Sequence, residues 1–187
     1  MLKVFFFLST CIFLFGCNPS KLKIEENIKK MQSKSITIPI NHLDYWTNDS
    51  LLFQKVSTKA EIKLVVYIDS TKCSMCYISK QFLWKDVLKL ERDYNSRFSI
   101  YFIVEPSQEH KKEIYKKFNK EDLIHPIFID TLGAFAKTNP NIPKETMYHT
   151  FLLDYKNNVL FVGNPIGNSI IKEKILGIIK EQISNVK

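Results

Sequence analysis

Leu64-Val65-Val66-Tyr67-Ile68-Asp69-Ser70-Thr71-Lys72-Cys73-Ser74-Met75-Cys76 is the stretch on which the fold turns. Its first five residues form a continuous apolar run rich in β-branched side chains, as suits a central strand buried on both faces. Asp69 to Lys72 make a polar turn. Beyond the C-x-x-C, Ile78, Phe82, Val87, Leu90 and Tyr94 recur at helical spacing and predict one helix from about Cys73 to Tyr94. A C-x-x-C where a strand gives way to a helix is laid out for redox chemistry. The first sulfur sits at a helix N-terminus, where unsatisfied N–H groups and the dipole favour a thiolate. The second lies near enough to close a disulfide with it and reopen.

Reading downstream, Ser99 to Val104 is a second buried strand, so strand, helix and strand make a βαβ unit. Glu105-Pro106-Ser107 ends it, and Ser107 is a good N-cap for a helix reaching Phe118. Pro126 to Ile129 predicts a third strand and Leu132 to Lys137 a short helix, followed by the loop Asn139 to Pro143. Thr150–Leu153 and Val159–Val162 read as a hairpin joined by residues 154–158. Asn168 or Ser169 caps a last helix with Ile171, Ile175, Ile178 and Ile179 on one side. Upstream, Ser35 to Ile40 alternates as an edge strand marked by Pro39. The lysine-rich residues 18–35, with weak helical spacing at Ile24, Ile28 and Met31, read as a tether or a short first helix.

The chain of 187 residues, 45% apolar and 25% charged, has the composition of one ordered domain rather than a disordered chain. Its net charge of +8 comes almost wholly from lysine, Arg92 and Arg97 being the only arginines. Nucleic-acid sites favour the bidentate arginine fork, so the charge reads as solvated surface with a weak attraction to anionic headgroups, and no nucleic-acid partner is expected.

Met1-Leu2-Lys3 and the apolar run Val4–Phe15 form an export signal too short to span a bilayer. Leu14-Phe15-Gly16-Cys17 resembles a bacterial lipobox, which implies cleavage before Cys17 and acylation of that residue. Of the four cysteines, Cys11 would then be discarded and Cys17 would carry lipid, leaving Cys73 and Cys76. One pair closing so small a loop constrains the unfolded chain little, so it reads as reactive rather than structural.

With these elements in this order, the chain resembles the thioredoxin fold, and within it the extracytoplasmic thioredoxin-like lipoproteins of redoxin or TlpA type. Cys73-Ser74-Met75-Cys76, the strand–helix insertion Pro126–Lys137 and the hairpin Thr150–Gly163 carry the resemblance, which covers about residues 60–187. It implies an α/β domain: a central mixed sheet flanked by helices, with an extra N-terminal strand segment and the strand–helix insertion. The expected layout is a signal over 1–16, a tether over 17–34 and a thioredoxin-like domain over 35–187. It further implies thiol–disulfide exchange without a resident cofactor. Cys73 would be the nucleophile and Cys76 the resolving thiol, with a protein disulfide or dithiol as substrate and a redox partner to recharge the pair. The location implied is the cell envelope, facing periplasm or surface, with the lipid bilayer as partner through Cys17. Asn18 in place of an inner-membrane retention Asp favours the outer membrane.

Two positions depart from the family. His149 stands where a cis-proline usually precedes the hairpin, and Tyr67 stands where classical thioredoxins carry a buried acid. The proton acceptor for Cys76 must then come from elsewhere, and Asp69, Glu105 and His149 are the candidates. Two alternatives differ in class. Cys73, Cys76, Met75 and His149 form a soft ligand set suited to Cu(I). A non-catalytic role would use Tyr45, Trp46 and Leu51–Phe53 as an apolar partner surface. Structural zinc lacks a second C-x-x-C or paired histidines. A peroxidase needs an arginine near the thiol, and Arg92 and Arg97 lie at the far end of the helix. His42, His110 and His125 are expected to be solvated.

Overall fold

A computed structural model describes residues 19–47, 56–112, 114–118 and 123–185. In chain order its elements are α1 (Pro19–Gln32), β1 (Asp44–Trp46), β2 (Ile62–Ile68), α2 (Ser74–Ile78), α3 (Lys85–Tyr94), β3 (Phe98–Val104), α4 (Ile114–Phe118), β4 (Ile127–Ile129), α5 (Ala134–Thr138), β5 (Thr150–Leu153), β6 (Val159–Val162) and α6 (Ser169–Asn185). The expected signal 1–16, Cys17, Asn18 and Leu51–Phe53 lie outside the described residues, as does the side chain of Met75.

All seven residues of β2 and all seven of β3 are buried, as their unbroken apolar runs require. The six strands form one sheet in the order β1-β4-β3-β2-β5-β6. β2, β3 and β4 are parallel, β5 and β6 run antiparallel to their neighbours, and β1 pairs antiparallel with β4 at the edge. This is the thioredoxin-like α/β arrangement, with helices on both faces. The pleat divides β2 between two cores. Leu64 and Val66 face Trp84 and Val87 ahead of and within α3, and Ile175 and Ile179 of α6. Val65 and Tyr67 face Met31 of α1, Phe135 of α5 and Tyr148.

The parallel strands end together at Ile68, Val104 and Ile129, and β5 begins opposite Val66. The segments after Ile68, Val104 and Ile129, and the segment before Thr150, therefore meet at one pole. Crevices outside the carboxyl ends of parallel strands are where ligands bind in α/β folds.

Four expectations are corrected. The single helix from Cys73 to Tyr94 is broken into α2, a 3₁₀ turn at Gln81–Trp84, and α3. The break falls where Gln81 turns inward: its Nε2 donates to the His125 carbonyl at 3.1 Å, and its Oε1 accepts the N–H groups of Ile124 and His125 at 3.1 and 3.3 Å. The helix expected to start at Ser107 is regular only over α4. Residues 35–39 join no strand. Instead the side chain of Asn139 accepts the Thr37 N–H and donates to the Thr37 carbonyl, both at 2.8 Å, doing locally what a ladder would do. The extra N-terminal strand is β1, further along the chain. Finally, residues 18–35 take the helical of their two readings, from Pro19, and not the tether drawn over 17–34. Met31 is fully buried and Ile28 packs beside it, so the domain begins well before residue 35.

Candidate active site

The loop between β2 and α2 is shaped by Asp69. Its Oδ1 accepts the Thr71 N–H at 2.8 Å and also the Thr71 hydroxyl, while its carbonyl accepts the Lys72 N–H at 3.0 Å. This Asx turn delivers Cys73 to the start of α2. Cys73 and Cys76 are joined by a disulfide, with Cα atoms 5.2 Å apart, and both residues are exposed. The Cys76 N–H donates to Cys73 Sγ at 3.2 Å, and the Tyr77 N–H to the Cys73 carbonyl at 3.3 Å. A first-turn N–H aimed at the leading sulfur stabilises a thiolate there once the bond opens.

Two shallow hollows flank the pair. One, of about 240 Å³, is bounded by Ser70, Cys73, Ser107 and His110; the other, of about 280 Å³, by Cys76, Tyr77, Leu83 and Ile166. A larger cavity of about 450 Å³ opens behind the loop. Asp69, Glu105 and His149, the three proposed proton acceptors, all line it, with Tyr67 at their centre and Phe135, Ile142 and Pro143 as apolar walls. Neither sulfur lines this cavity; Ser70 and Thr71 form the partition between it and the hollow beside Cys73.

Tyr67, near the end of β2, has a carboxylate brought to it from beyond β3. Its ring is buried and its hydroxyl donates to Glu105 Oε2. The carboxylate is thus supplied from the end of β3 and bridged across to β2. Burial, the Glu105 hydrogen bond and the charges of Glu105, Asp69 and Asp130 all push the Tyr67 phenol well above its ordinary value. Gly133 closes over this carboxylate. A Cβ there would sit 3.2 Å from Glu105 Oε1, on a backbone with φ of 62°.

His149 lies on a trans backbone, and no cis peptide bond occurs among the described residues. It is buried, and its Nε2 lies 3.0 Å from the Pro143 carbonyl. Nδ1 lies 3.1 Å from Asp69 Oδ2 but is not aligned for a hydrogen bond. The His149 ring packs 5.1 Å from that of Tyr67, centroid to centroid.

The Cu(I) set is not assembled. The sulfurs are bonded to each other, and the nitrogens of His149 face Pro143 and Asp69. Among the described residues no three His, Cys, Asp or Glu side chains are grouped to hold a metal. Tyr45 and Trp46 lie in β1, their rings against Phe128 and Tyr115 respectively, although Tyr45 remains partly exposed. Arg97 forms a bidentate pair with Glu61, which precedes β2 at the pole opposite the disulfide.

His42 and His110 are exposed as expected, but His125 is not. It is fully buried, with Nδ1 2.7 Å from the Pro126 carbonyl and Nε2 2.8 Å from Glu91 Oε2. Sequence reasoning also passed over Asp130, whose two carboxylate oxygens accept the Ala134 and Phe135 N–H groups at 2.8 Å and start α5. The signal for it was an acid four residues ahead of a short helical run.

No known family profile and no curated protein sequence matches the chain. Solved structures do. The exposed lipoprotein thioredoxin of Streptococcus pneumoniae is 19% identical over 66% of this chain and 86% of its own, with a TM-score of 0.42. The bacterioferritin comigratory protein of Xanthomonas campestris is 13% identical over 81% of this chain and 99% of its own, at 0.48. A putative protein disulfide isomerase from Bacteroides thetaiotaomicron is 16% identical over 63% and 71%, at 0.41.

Proposed function

We propose that this protein is a thiol–disulfide oxidoreductase of the bacterial cell envelope, anchored by lipid on Cys17 and acting on protein disulfides or dithiols. The observation that carries the reading is the exposed Cys73–Cys76 disulfide at the start of α2, with the Cys76 N–H directed at Cys73 Sγ.

In the reducing direction the Cys73 thiolate attacks one sulfur of a substrate disulfide. A mixed disulfide forms and the other substrate sulfur leaves as a thiolate, which takes a proton. Cys76 then loses its proton, and its sulfur attacks Cys73 Sγ. The mixed disulfide breaks, the substrate's second thiol leaves, and the Cys73–Cys76 bond is restored. Two electrons have passed to the substrate, and a redox partner must return them. The oxidising direction is the same sequence reversed. Asp69, Glu105 and His149 lie one loop behind the sulfurs, so we assign them to positioning. Asp69 fixes the Thr71 turn on one side and faces His149 on the other.

The test is equilibration of the purified protein in thiol–disulfide buffers, followed by turnover of a disulfide substrate. A single two-electron transition is expected. Cys73→Ser should abolish turnover, and Cys76→Ser should trap a mixed disulfide. A pair inert in both directions would overturn the reading.

A further inference from the structure

α1 is fixed by different contacts at its two ends. Near its start, Lys23 Nζ lies 3.3 Å from Glu145 Oε1, and Asn27 Nδ2 donates to the Tyr148 hydroxyl at 3.1 Å. Near its end, Gln32 Nε2 donates to the Val159 carbonyl at 3.4 Å. Glu145 and Tyr148 lead into β5, which begins opposite Val66 near the end of β2 that feeds Cys73. Val159 pairs with Leu153, which is itself opposite Lys63 at the other end of β2. α1 therefore runs the height of the sheet with its N-terminus at the disulfide pole. At 1.5 Å per residue it covers about 21 Å.

Cys17 precedes Pro19 by two residues, a link of about 7 Å at full extension. On the lipoprotein reading, an acyl chain on Cys17 would be tied by that short link to the α1 N-terminus. The segments meeting at the disulfide pole also carry exposed apolar side chains: Leu22 is 49% exposed, Leu132 60% and Met147 54%. Lys21, Lys72 and Lys144 are exposed among them. Apolar tips interspersed with lysines are the makeup of a surface that rests in a headgroup layer. No helix among the described residues is long and apolar enough to cross a membrane.

We propose that this pole is a membrane-docking surface, which holds the redox face of the domain against an anionic bilayer. This rests on the lipoprotein reading above. Leu22, Leu132 and Met147 meet the interface, and Lys21 and Lys144 meet the headgroups.

The test places the acylated full chain in vesicles of phosphatidylethanolamine and phosphatidylglycerol, with and without a shallow nitroxide lipid that quenches tryptophan. Met147→Trp and Leu132→Trp report the docking pole, Tyr155→Trp reports the hairpin tip at the opposite pole, and the unsubstituted protein sets the background. Quenching at 147 and 132 should exceed that at 155 by about twofold or more, and Lys21→Gln with Lys144→Gln should reduce it. Equal or reversed quenching in a protein with acylated Cys17 overturns the orientation alone. Mass measurement showing unmodified Cys17 overturns anchor and orientation together. Redox turnover of the same preparation in detergent reports separately on the oxidoreductase reading.

Discussion

Two buried histidines occupy opposite faces of the sheet, and they are built differently. His125 packs edge-on to Phe102 in the core under α3 and α6, whereas His149 packs beside Tyr67 in the core under α1 and α5. Each has one nitrogen near a proline carbonyl and the other near a carboxylate. Around His125 both contacts are aligned, and Glu91 uses its second oxygen on the Ile100 N–H at 2.8 Å. Each ring nitrogen thus lies within hydrogen-bond distance of an oxygen. Around His149 the carboxylate contact is misaligned and the ring borders a cavity. The same residue type is fully committed where it joins a helix to a strand. Where it stands behind the redox loop, hydrogen-bonding capacity is left over.

This contrast can be broken by mutation. His125→Ala strands a Glu91 side chain that is only 11% exposed, and should cost about 3–5 kcal/mol in denaturant unfolding while leaving the reduction potential in place. Tyr67→Phe removes a charge-assisted hydrogen bond and should cost about 1.5–3 kcal/mol by the same measurement. His149→Phe should cost only about 1 kcal/mol, because it removes one hydrogen bond, to the Pro143 carbonyl, and a misaligned contact to Asp69, yet slow disulfide exchange about tenfold by loosening the Asp69 turn. If His149→Phe proves as destabilising as His125→Ala and exchange is unaffected, the two histidines do the same job.

Alkaline titration sharpens the picture on the Tyr67 side. Unfolded chains release phenolic protons near the ordinary value of 10.0, whereas the folded chain holds those of Tyr67 and Tyr101 to higher pH. Stability from these groups is intact below that value and is lost as pH rises above it. Tyr67→Phe should make the decline shallower. Lys63 acts oppositely, since burial lowers its pKa below 10.5 and the unfolded chain binds the extra proton. Stability from it rises with pH up to that value, so Lys63→Met should steepen the decline. The smallest effect is expected at Lys172, paired with an Asp86 side chain that is 57% exposed: Lys172→Ala should leave the unfolding midpoint unchanged.

The strands were legible because their signals are local. Thr150–Leu153 and Val159–Val162 match the expected hairpin to the residue, and the disulfide lies where its spacing put it. Asp69, Glu105 and His149 share one cavity because each sits where a strand begins or ends, and the topology gathers those positions at one pole. What escaped depends on partners far along the chain. Helical spacing continues straight through the break at Gln81, so nothing nearby reveals that its side chain serves residues 124 and 125. Phe82, counted in the apolar stripe, is 60% exposed as a result. Ser35–Ile40 alternates like a strand, but its partner is one asparagine amide 102 positions away. His125 looked solvated because Glu91 lies 34 positions upstream.

That interruption at Gln81 also sets the disulfide apart from the core. Cys73 precedes and Cys76 lies within a five-residue helix that ends before the ten-residue α3, whose Val87 and Leu88 are buried in the core. The turn that bears Cys76 and the helix that packs the core are thus separate elements, divided where Gln81 reaches in to residues 124 and 125.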